Sequence, residues 1–147
     1  MNTTTDTVLR VSRMVAASQD EVFEAWTNPS IMSKWSAPEG VGRIECKVDL
    51  RVDGEYEIKM INDEGRKHTA HGVYREINRP SKLVYTWDWR EDDLRMDTAT
   101  LVTVEFVAMD SATEVIVTHE QFPNLEIRDG HLQGWTSCIN RLVEIFG

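Results

Sequence analysis

Cysteine is scarce in this chain, with two residues in 147. Cys46 and Cys138 stand far apart, so neither a CxxC pair nor zinc-ribbon spacing arises. Both sit among apolar residues and read as core thiols of a protein kept in a reducing cytoplasm. Positive charge is also short: 16 basic residues stand against 25 acidic ones, for a net charge of −9. The Lys and Arg residues are scattered from Arg10 to Arg141 without forming a stripe, which excludes a nucleic-acid site and docking on an anionic membrane. No apolar run approaches bilayer length. The start, "MNTTTDTVLRVSRMV", lacks the basic-then-apolar order of a signal peptide. Nor does any GxGxxG, P-loop, HExxH or GxSxG pattern occur, so no cofactor, nucleotide or hydrolase reading has a motif behind it. His68 and His71 are three apart on a strand-like run and face opposite ways, so they do not clamp a metal.

What is present is a regular alternation of periods. The length suits one domain spanning residues 1–147, large enough to bury about two-thirds of its unfolded surface. A first strand is expected near Val8–Val15. "SQDEVFEAWTNP" follows, in which Ser18 and Glu21 form a capping box and Pro29 ends a short helix. "SIMSKW" makes a second small helix, with Ile31, Met32 and Trp35 inward. From Gly42 the period becomes two. Ile44, Cys46 and Val48 share a face, then Tyr56, Ile58 and Met60, then Leu83, Tyr85, Trp87 and Trp89. "REDDLRMD" reads as a solvated loop. Val102, Val104 and Phe106 line one further strand, and Val115, Val117 and His119 the last. After Pro123 the period returns to 3.6, with Trp135, Cys138, Ile139, Leu142 and Phe146 in one stripe of a helix over Arg128–Phe146.

Strands in series followed by a helix predict an α+β fold, with an antiparallel sheet packed on a long C-terminal helix. Many large aromatics converge on the sheet–helix space. Each gains roughly 2–3 kcal/mol on burial, yet a sheet curving round one helix need not fill that space, and any remaining cavity is a ligand site by default.

The segments "DLRVDGEYEIKM", "GVYREINRPSKLVYTWDW", "TEVIVTHEQF" and "RDGHLQGWTSCINRL", in that order, resemble the SRPBCC (START-like, Bet v-like) superfamily. Within it they are most similar to the branch named for the activator of heat-shock protein 90 ATPase. The resemblance runs from about Leu9 to Phe146. It implies a helix-grip fold: a curved antiparallel sheet wrapped around the C-terminal helix, with two short helices after the first strand and a deep apolar cavity between sheet and helix. Superfamily members bind lipids, sterols, hormones or polyketides, and some catalyse ring chemistry. The family motif also has a His and a Gly-Trp where this chain has His131, Gly134 and Trp135. That fits an anchoring role for the helix entry, with Asp129 as cap and Gly134 letting the helix approach a strand.

The leading expectation is a non-enzymatic, cytoplasmic binder of a small apolar or amphipathic molecule. The cavity wall is expected to comprise Tyr56, Ile58, Met60, Tyr85, Trp87, Val104, Phe106, Val117, His119, Trp135 and Ile139, with Trp89 and Met32 adding surface. A second reading is a co-chaperone-like interaction module with a chaperone as partner. It is weakened because the eukaryotic co-chaperones of the branch carry an additional N-terminal domain with no counterpart before the first strand. A third is an enzyme using His119 as acid/base, against which stands the lack of any Ser, Cys or second carboxylate placed to complete a catalytic set. No catalytic residue or metal ligand is assigned, and a homodimer is left open.

Overall fold

A computed structural model describes residues 7–96 and 98–147. Strand β1 (Leu9–Val15) leads into helices α1 (Gln19–Thr27) and α2 (Pro29–Met32). Strands β2 (Val41–Val48), β3 (Glu55–Asn62), β4 (Lys67–Asn78), β5 (Lys82–Trp89), β6 (Thr100–Met109) and β7 (Ala112–Glu120) follow. Helix α3 (Leu125–Ile145) ends the fold. The seven strands form one sheet in the order β1-β7-β6-β5-β4-β3-β2, antiparallel at every pairing. The sheet curls as a half-barrel around α3, which is the helix-grip fold.

Local chemistry explains each boundary. Ser18 caps α1: its Oγ accepts from the Glu21 N–H, and the Glu21 carboxylate accepts from the Ser18 N–H. Asn28 ends α1, and its side chain then caps α2 by accepting from the Ser30 N–H. Curvature needs close strand contact, and β4 supplies it at Gly72. A Cβ there would lie 1.9 Å from the Thr86 carbonyl oxygen of β5, so only glycine fits. The strands alternate as their sequences dictate; β7 is buried at every second residue from Thr113 to His119.

Two boundaries differ from expectation. Helix α3 starts about a turn before Arg128, because Asn124 and not Asp129 is the cap, accepting from the Ile127 N–H. The β5–β6 loop is not wholly solvated. Met96 is buried, and Asp88 Oδ1 accepts from its N–H, drawing the loop back over the end of β5. No helix among the described residues is long and apolar enough to cross a membrane.

Candidate functional site

Between the sheet and the first half of α3 lies a cavity of about 620 Å³. It opens at one end of the half-barrel. Antiparallel pairing brings the start of β2, the β3–β4 turn, the β5–β6 loop and the beginning of α3 to that same end. The mouth accordingly carries Glu39, Gly40, Arg66, Asp93 and Gly130, all exposed. Deeper in, all five tryptophans and all three tyrosines of the chain contribute to the wall, whereas none of its four phenylalanines does.

Of the eleven side chains expected at a cavity, six wall this one: Tyr56, Ile58, Met60, Tyr85, Trp87 and Trp135. Trp89 and Met32 join them. Val104, Phe106, Val117, His119 and Ile139 do not. They face inward as alternation requires, but they are almost completely buried in the close-packed remainder of the sheet–helix space. Phe106, for example, meets Phe23 and Trp26 edge-on at 5.6 and 5.7 Å. Alternation tells which face a residue occupies, not how far along the barrel the packing closes.

His119 is fully buried and fully committed. Its Nδ1 accepts from the Trp135 Nε1–H at 3.0 Å. The Thr100 hydroxyl donates to the Trp87 carbonyl at 2.8 Å, so at the 2.6 Å contact between His119 Nε2 and Thr100 Oγ1 it is the imidazole that donates. The imidazole is therefore the neutral Nε2–H tautomer. Burial, with His131 nearby, holds its pKa well below the ordinary histidine value of 6.5. No ring nitrogen is left for a substrate, and the residue links α3 to three strands.

His131 repeats the device at the cavity surface. Its Nδ1–H donates to the Ile127 carbonyl at 2.9 Å, and its Nε2 accepts from the Trp89 Nε1–H at 3.1 Å. Burial again lowers its pKa. His68 also faces the cavity, while His71 pairs across the ladder with Asp88 and is absent from the wall.

The remaining indoles complete the count. Trp35 donates to the Ala25 carbonyl at 2.9 Å, and Trp26 to the Tyr85 hydroxyl at 3.1 Å. Trp87 differs: its Nε1–H is buried and meets no acceptor among the described residues. Tyr56 donates to the Thr86 carbonyl at 2.6 Å. Burial raises the pKa of Tyr56, Tyr74 and Tyr85 above the ordinary value and pushes the Cys138 thiol up to about 12, so the deep wall is uncharged.

Gly134 does not serve strand approach. A Cβ there, or at Gly130 one turn earlier, would meet nothing within 4 Å, since both positions face the cavity. Glycine inside a helix costs roughly 0.5–1 kcal/mol relative to alanine. Here the return is volume and not packing. Sequence reasoning also passed over Tyr74, which alternation on β4 places beside Tyr56 and Tyr85, and Leu94, hidden in an acidic loop. Cys138, a core thiol by its apolar surroundings, is buried at the cavity wall.

The sequence profile described as "Activator of Hsp90 ATPase homolog 1-like protein" matches residues 16–147. Among curated proteins, no sequence matches. Solved structures share the fold at low identity. Protein CV1439 from Chromobacterium violaceum is 23% identical with a TM-score of 0.83, over 95% of this chain and 96% of that one. The AHSA1 (SPO3351) protein from Silicibacter pomeroyi is 24% identical with a TM-score of 0.79, over 94% and 96%. DynU16, from the dynemicin biosynthetic locus, is 17% identical with a TM-score of 0.74, over 94% of this chain and 46% of that one. By the extent of the profile match, this chain belongs to the family of Activator of Hsp90 ATPase homolog 1-like proteins, within the SRPBCC superfamily.

Proposed function

We propose that this protein binds a small apolar or amphipathic molecule between the sheet and α3, without catalysing its conversion, and does so in the cytoplasm. The observation that carries the reading is the cavity itself. About 620 Å³ lies within the range of ligand sites, and its deep wall is aromatic and uncharged. Two helix glycines on the cavity lining, whose added Cβ atoms would meet nothing within 4 Å, support it further. A core built for stability alone has no use for either feature, since interiors pack closely and glycine weakens a helix. An acid/base role for His119 has no support, because both its nitrogens are occupied.

Native mass spectrometry of gently purified protein, followed by denaturation, tests the proposal. An apolar compound released on denaturation is the expected result, and the Gly134→Leu variant should lose it while remaining folded. A variant that keeps the compound at full occupancy would place the site elsewhere.

A further inference from the structure

Resting on that ligand reading, we infer that the guest lies lengthwise along α3 with an apolar end on a built floor, and that Cys138 sets how long a guest the cavity takes. The floor shows on both walls. On β5 the cavity is lined by Trp89, Trp87 and Tyr85; the next inward residue, Leu83, is fully buried and off the wall. On α3 the lining includes Gly130, Gly134 and Cys138, spaced one helical turn apart. The next residue on that face, Leu142, is likewise fully buried and off the wall. The two walls are equally deep. Strand from Trp89 to Tyr85 rises about 13 Å, and helix from Gly130 to Cys138 rises about 12 Å.

At that level the space is closed by side chains in mutual contact. Tyr56, Tyr74 and Tyr85 come from β3, β4 and β5, and their ring centroids lie 5.1, 5.6 and 6.0 Å apart. Trp26 of α1 joins them by donating its indole N–H to the Tyr85 hydroxyl at 3.1 Å. Cys138 completes the floor from α3. Burial is the chief reason that the Tyr85 hydroxyl resists ionisation, and Cys138 is near enough to add to it. The rings hold one another in place, so the size of the side chain at position 138 is what can vary without dismantling the floor. Between mouth and floor α3 is bare, since a Cβ at Gly130 or Gly134 would meet nothing within 4 Å. A straight apolar chain laid along that bare length buries one methylene after another until its end meets the floor, and each further methylene stays in water.

Straight-chain 1-alkanols from hexanol to dodecanol, titrated into the protein by calorimetry, test the inference. With the wild-type chain, affinity should rise about fourfold per added methylene and then level off. Cys138→Leu should bring the levelling to a shorter chain. The longest alkanols should then lose about four- to fifteenfold, the worth of one or two methylenes, while hexanol binds unchanged. Cys138→Ala should move the levelling to a longer chain. Cys138→Ser, of nearly equal size, should leave it in place, which separates side-chain length from thiol chemistry. If Cys138→Leu does not fold, the opposite shift in Cys138→Ala decides alone. Levelling at one chain length in every variant would overturn the inference and leave the cavity reading intact. So would an affinity that climbs without levelling, or a loss in Cys138→Leu that is equal for hexanol and dodecanol. Absence of binding by every alkanol would overturn both.

Discussion

The two ends of the sheet–helix space are built from different aromatics. The closed end is packed with Phe23 and Phe106 among Val102, Val104, Val115, Val117 and Leu142, all but fully buried. At the open end stand the tryptophans and tyrosines, each with an apolar ring and a polar tip. Both ends are strongly apolar, so hydrophobicity does not separate them. What does is whether a ring has something to hold on to when its neighbours do not fill the space beside it. Phe is positioned only by packing. Trp and Tyr can be pinned by a hydrogen bond at one edge, and Trp26, Trp35, Trp89 and Trp135 all are. Most of the aromatic wall beside the unfilled volume is of the second kind, pinned at one edge.

The comparison is broken most directly by truncation. Phe106→Ala should destabilise the protein by about 3–5 kcal/mol in chemical denaturation, the cost of a new void in a closed core. Met60→Ala, at the open end, should cost clearly less, since the space left behind joins a cavity that already exists. Equal losses would mean that the two ends do not differ in packing.

The next effect sharpens the role of the hydrogen bonds. His119→Leu leaves the Trp135 N–H without an acceptor and should cost about 1–3 kcal/mol. It also carries a pH signature. His119 and His131 are held neutral in the fold, their pKa values lowered by burial, so the unfolded chain binds more protons below about pH 6.5. Stability is therefore full above that pH and declines as pH falls through it, by about 1.4 kcal/mol per pH unit for each histidine at the steepest. The variant should show a shallower decline between pH 7 and pH 5. An unchanged slope would place the titrating groups elsewhere.

Smallest, and of opposite sign, is Gly134→Ala. Its methyl group enters open space, so thermal unfolding should report a gain of about 0.5–1 kcal/mol. A loss would mean that the helix is closer to a strand than the cavity allows.

The contrast between the ends also shows what could be read in advance. The period-2 runs from Ile44 to His119 and the 3.6-residue stripe through Leu142 are enough for the α+β order and an antiparallel sheet packed on one helix, because each strand has one buried face and the helix one apolar stripe; the curl of the sheet around that helix is what the family resemblance implies. The capping box at Ser18 and Glu21 was legible because it is local. The cavity was legible only as a face. Val104 and Trp87 both point inward on neighbouring strands, yet one is enclosed by packing and the other borders open volume. That difference depends on how α1, α2 and α3 fill the half-barrel, which no single strand encodes. Gly134 was misread for the same reason. A glycine in a helix signals a missing side chain, but whether a neighbour or empty space occupies the gap is a property of the assembled fold.

Because every tryptophan of the chain lies on the cavity wall, its ultraviolet emission comes from one place. The light reports the state of that wall, with Trp89 and Trp135 each bonded to an imidazole that quenches differently once protonated. A guest entering, a histidine titrating and the chain unfolding will all change the same signal. A melt followed by emission therefore measures the opening of the cavity, and only its coincidence with a far-ultraviolet dichroism melt, which follows the sheet and α3, would show that the two ends of the molecule let go together.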